Sequence, residues 1–99
     1  MRVVFLQPAQ TELAEAKRYY NRQQQGLGEH FKAEAYAAAR RVSDQPLAWQ
    51  VERGKVRRCL LGKFPYKLLN FVRANEAVVL AVAHTHRQPD YWLDRLNLL

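Results

Sequence analysis

The sequence predicts an α+β fold: an N-terminal helical hairpin packed on a small antiparallel sheet, in the order β-α-α-β-β-β. Three observations lead there. Apolar residues recur at helical spacing through two segments between 8 and 44. From Trp49 onward the pattern changes to runs of β-formers split by turn signals. A separate run, "RVVFLQ" at 2–7, precedes the first helix and reads as a strand.

Each element has a local reason. Pro8 suits a first helical position, and Glu12 and Glu15 are expected to favour the positive end of the helix dipole. Leu13, Ala16 and Tyr20 then repeat at helical spacing, which predicts a helix over 8–24. "GLG" at 26–28 ends it, since glycine tolerates the left-handed cap. Leu27, Phe31, Ala35, Ala38 and Val42 form the stripe of a second helix over 28–44, and "SDQP" at 43–46 stops it. The short connection makes the pair an antiparallel hairpin, in which Tyr19 and Tyr20 read as packing residues. "VRRCLL" (56–61), "YKLLNFVR" (66–73) and "AVVLAVAH" (77–84) form a meander, joined by turns at "GKFP" and "ANE". "QPDYWLDRLNLL" (88–99) allows a short terminal helix starting at Pro89.

The chain of 99 residues forms one domain over 1–99. A domain of this size buries only about 60–65% of its unfolded surface, so its core is thin. An apolar fraction of 48%, with 11% aromatic residues, argues for a folded globule. The net charge of +7, from 16 basic against 9 acidic residues, favours polyanionic partners: RNA, DNA or an acidic protein segment. The single cysteine, Cys59, excludes an internal disulfide and fits a reducing cytoplasm. Residues 1–20 lack the apolar core of a signal peptide, and no run is long enough to cross a membrane.

Residues 53–73 carry Arg53, Lys55, Arg57, Arg58, Lys63, Lys67 and Arg73 and no acid. Strand neighbours point to opposite faces, so Arg57 and Arg58 cannot both face the core, whereas Lys67 and Arg73 share a parity. A cationic sheet face would bind phosphates with strong salt dependence, although basic residues also serve to blunt edge strands. His84 and His86 share a face of an extended segment, and a histidine could act as general acid or base on a ribose hydroxyl. Arg87 could stabilise charge developing on a phosphate, and Tyr91 could stack on a base. The competing reading closes the strand at His84 and pairs Arg87 with Asp90 or Asp94. His84, His86 and Cys59 have no usual metal-ligand spacing, so neither a metal nor another cofactor is expected. Trp92 and the leucines after it suit a core or a partner's docking surface.

Three stretches, "AQTELAEAKRYYNRQQQGLGEHF", "VRRCLLGKFPYKLLNFV" and "VVLAVAHTHRQPDYWLDR", carry a likeness over roughly residues 3–95. In them the chain resembles the RelE/ParE family of bacterial toxins from type II toxin–antitoxin modules. The resemblance implies the same β-α-α-β-β-β arrangement. It also implies a cognate antitoxin whose extended, acidic, amphipathic C-terminal segment wraps the toxin, and which alone contacts operator DNA. RelE-like members cut mRNA on the ribosome with basic sheet residues; ParE-like members are associated with inhibition of DNA gyrase. A ribonuclease site would comprise Arg57, Lys67 and Arg87, which the resemblance implies, with His84 and Tyr91 from the chemistry of the residues themselves. Arg53, Lys55, Arg58, Lys63, Arg73 and Trp92 would then bind nucleic acid or antitoxin. Cys59 falls where a second strand lysine is expected, and Tyr91 comes earlier than the family's catalytic tyrosine. The ending "H..R.P.YW" is closer to ParE-like chains. Three functions follow: a gyrase inhibitor, an mRNA interferase, or a non-toxic module that binds antitoxin.

Overall fold

In the computed structural model, which describes residues 1–99, the run after the first methionine forms strand β1, Arg2–Phe5. Leu6 turns the chain with extended backbone, and Pro8 sits in the first turn of helix α1, Gln7–Gln23. Gly26, in the left-handed region at φ 87°, reverses the chain into helix α2, Leu27–Asp44. At Gly28 the helices approach so closely that a Cβ would lie 2.3 Å from the Lys17 carbonyl oxygen. The Gly28 N–H also donates to Asn21 Oδ1 at 2.7 Å. Gly28→Ala should therefore destabilise by about 3 kcal/mol or more, because a helix carbonyl cannot yield as a flexible side chain can. Thermal unfolding would show this as a fall in Tm of roughly 12 °C or more.

The meander follows as strands β3 (Val56–Leu60), β4 (Tyr66–Arg73) and β5 (Glu76–His84). Before it comes a further strand, β2 (Gln50–Arg53), which the sequence reading did not anticipate. Four residues with two charges give little periodicity, and β2 pairs only with β3, closing through Gly54 at φ 57°. Ala74 and Asn75, both at positive φ, make the tight turn between β4 and β5.

The sheet order is β1-β5-β4-β3-β2. Its strands are antiparallel except that β1 pairs parallel to β5, so the sheet is mixed. Central β5 is buried continuously from Ala77 to Ala83, as expected of a strand covered on both faces. Alternation, with a bulge at Leu80 where the β4–β5 register shifts, sends Leu68, Ala77, Val79 and Val82 toward the helices, where Phe31, Ala35, Ala38 and Val42 complete a core. It sends Leu69, Phe71, Val78, Leu80 and Ala83 to the opposite face, under Trp92. The terminal segment that covers that face is a turn followed by the short terminal helix, a 3-10 helix over Leu93–Leu98 that starts four residues after Pro89.

Candidate functional site

The basic residues of the meander divide between the two faces of the sheet. Arg57 lies on the helix side and donates to the Trp49 carbonyl at 2.7 Å. His84 is on the same side at the far end, with its ring 5.2 Å from Tyr66. It lines a cleft of about 250 Å³ with Glu12, Glu15, Tyr19, Tyr66 and Arg87. The His86 backbone N–H donates to His84 Nδ1 at 3.0 Å, so the neutral imidazole carries its proton on Nε2.

Arg53, Arg58 and Lys67 lie on the other face. A bulge in β2 between Val51 and Arg53 turns Glu52 and Arg53 to the same side. Glu52 then accepts from Arg58 at 3.0 Å and from Lys67 at 2.9 and 3.2 Å, while Arg53 pairs with Asp90. Lys55 sits 4.6 Å over the Phe71 ring. Arg73 is exposed at the end of β4, six residues and about 20 Å from Lys67. Lys63 is exposed in the β3–β4 turn. Burial pushes the Glu52 carboxyl up, but Lys67 and Arg58 outweigh it and hold the carboxyl below its ordinary 4.5. A carboxyl depressed by folding binds fewer protons in the folded chain than in the unfolded one. Its stabilisation is therefore present above that ordinary value and is lost as pH falls through the folded value. Below pH 4.5 the stability of Glu52→Gln should thus fall less steeply than that of the parent chain in acid titrations followed by circular dichroism.

The residue that organises the C-terminal segment is Glu12. The sequence reading assigned it to the helix dipole, but it lies beyond the first turn of α1. Because β1 stops at Phe5, opposite Val79, the next stretch of β5 has no strand neighbour on that side. Two side chains substitute for one: Glu12 accepts the Val82 N–H at 3.0 Å, and Arg95 donates to the Leu80 carbonyl at 3.0 Å. The Arg95 guanidinium grips the Glu12 carboxylate at 2.7 and 2.9 Å, and the Tyr91 hydroxyl donates to it at 2.7 Å. Arg87 approaches it at 4.0 Å and stacks on the Tyr91 ring. Burial, reinforced by the bond to Glu12, pushes the Tyr91 phenol well above its ordinary value.

Of the five residues of the expected ribonuclease site, Lys67, Arg87 and Tyr91 line one small cavity and His84 joins Arg87 at the cleft beside it, whereas Arg57 lies apart on the helix side. Arg57 and Lys67 lie on opposite faces, and Lys67, Arg87 and Tyr91 each engage an internal carboxylate. Arg87 pairs with Glu12 and not with Asp90 or Asp94. Trp92, expected as a docking residue, is 1% exposed and belongs to the core. Cys59 is buried under α2, and burial pushes its thiol up. No three His, Cys, Asp or Glu side chains come together as a metal group, and no helix is long and apolar enough to cross a membrane. Sequence reasoning missed both organising acids. The acid-free stretch begins at Arg53, one residue after Glu52, and Glu12 meets its partners across 70 to 83 residues of sequence.

A helical hairpin on a mixed five-stranded sheet, with basic residues on both faces, defines a small α+β protein suited to binding acidic surfaces. The family model described as "ParE toxin of type II toxin-antitoxin system, parDE" matches residues 3–89. The chain belongs to this ParE toxin family. Among solved structures, a chain of the "Chromosomal ParDE TA system from P. aeruginosa" superposes with a TM-score of 0.74 at 15% identity. The match covers 85% of this chain and 95% of that one, and at this identity the likeness is one of fold. Comparison with curated proteins gives no match.

Proposed function

We propose that this ParE-family toxin arrests growth by binding DNA gyrase and blocking its action, and that a cognate antitoxin neutralises it. The antitoxin carries an acidic, amphipathic C-terminal segment that fits a chain of net charge +7. Operator DNA is reached only through the antitoxin. One observation carries the choice of a binding mechanism over RNA cleavage. Lys67 and Tyr91 are hydrogen-bonded to Glu52 and Glu12, Arg87 lies 4.0 Å from Glu12, and Arg57 is on the far face, so the cations nearest His84 already face carboxylates of the chain itself. Family membership and the fold shared with a ParDE component support the toxin–antitoxin part.

His84→Ala and Arg87→Ala should leave growth arrest on pulse expression intact, since neither side chain is buried in a core. If these variants remain folded but no longer arrest growth, and the parent chain cleaves mRNA in phase with codons, the mRNA interferase reading replaces this one. Harmless overexpression of the parent chain would instead favour a non-toxic module.

A further inference from the structure

We infer that the Glu52–Arg58–Lys67 cluster is a carboxylate-exchange site. In this reading Glu52 keeps, from within the chain, the place that a glutamate or aspartate of an acidic, amphipathic partner segment takes on docking. The inference rests on the toxin–antitoxin reading for the identity of that partner.

Three observations point the same way. Two cations already hold one carboxylate at 2.9–3.2 Å, so their geometry is set for a carboxylate. The bound carboxylate comes from the bulge of a four-residue edge strand, which pairs on one side only and is the part of the sheet most easily moved. Beside Arg58 lies an open cleft of about 230 Å³, lined by Trp49, Gln50, Arg58 and Leu60. Leu60 is 58% exposed and pairs with Lys67, on the same face as the cluster. Trp49, whose indole N–H is buried without a hydrogen-bond partner, forms part of the lining of that cleft.

Cations and exposed apolar side chains side by side match an amphipathic acidic peptide better than a nucleic acid. A phosphodiester strand would satisfy Arg58 and Lys67 but would leave Leu60 in water. The peptide satisfies both, its carboxylate on Arg58 and Lys67 and an apolar side chain against Trp49 and Leu60. Exchanging one carboxylate for another leaves neither cation unpaired, and Glu52, at the sheet edge, is released to solvent. The internal carboxylate reduces the fraction of molecules ready to bind, and so weakens the apparent affinity.

The test uses the purified full chain and a short fluorescein-labelled peptide of mixed glutamate and leucine, with a glutamine/leucine peptide as control. Fluorescence anisotropy should show binding of the first and much weaker binding of the second. Glu52→Gln should tighten the acidic peptide by about five- to tenfold by removing the internal competitor. Adding Arg58→Ala should cancel that gain. Leu60→Ser, at an exposed position that folding tolerates, should weaken the peptide about fivefold. Melting curves check that each variant is folded. Unchanged or weaker binding by folded Glu52→Gln overturns the inference, as does equal binding of the two peptides. So does single-stranded RNA that displaces the peptide from Glu52→Gln, because the cluster would then be a phosphate site. Growth arrest is read separately in cells. Peptide exchange without arrest would overturn the toxin reading alone, and arrest without exchange this inference alone.

Discussion

Glu12→Ala should lower the stability of the folded chain by about 3–5 kcal/mol. The Glu12 and Arg95 side chains are only 12% and 17% exposed, so removing the carboxylate strands a guanidinium in a poorly solvated place. It also removes the acceptor of the Val82 N–H and of the Tyr91 hydroxyl. Each orphaned donor adds its own desolvation cost of about 1–3 kcal/mol. A domain of this size is stable by about 5–15 kcal/mol in all, so the variant should sit close to unfolding. Circular dichroism should record a drop in Tm of roughly 12–25 °C. Glu15→Ala, one helical turn on and exposed, should stay within about 0.5 kcal/mol of the parent. Similar losses from the two substitutions would mean that Glu12 acts through the helix and not through the β5 edge.

Trp92→Ala should cost about 3–5 kcal/mol. The indole is 1% exposed and packs on the sheet face formed by Val56, Leu69, Phe71, Val78 and Leu80. Its loss opens a cavity over a face that only the short terminal segment covers. Urea unfolding should show the midpoint falling with little change in slope. A tryptophan held out for a partner would cost less than about 0.5 kcal/mol on removal. Trp92 and Glu12 both pin the C-terminal segment, so the double variant should lose less than the sum of the single losses.

The elements were legible where the signal is local. Phe31, Ala35, Ala38 and Val42 repeat at helical spacing and are all fully buried. Gly26 supplies the left-handed residue that the hairpin needs, and the runs after Val56 become the meander. What escaped is non-local. The parallel pairing of β1 with β5 joins residues more than seventy positions apart, for which no hairpin turn exists to read. Strand β2 is held by one neighbour and carries no alternation of its own.

The site followed the same division. The excess of cations was visible in the composition, but their neutralisation was not. Glu52 reaches Arg58 and Lys67 because β2 pairs Gln50 with Arg58, which puts Glu52 on their face, and a strand that is itself unreadable in the sequence gives no such register. Arg57 and Lys67, similar on paper as strand cations, are separated by the thickness of the sheet because their registers send them to opposite faces.

The account stands on a toxin that binds a machine instead of cutting RNA. Supercoiling of relaxed plasmid by purified gyrase, with and without this protein, tests it most directly when total mRNA from the same expressing cells is mapped for breaks. The account predicts that supercoiling stops while the mRNA stays whole. Codon-phased breaks in mRNA with supercoiling undiminished would contradict it.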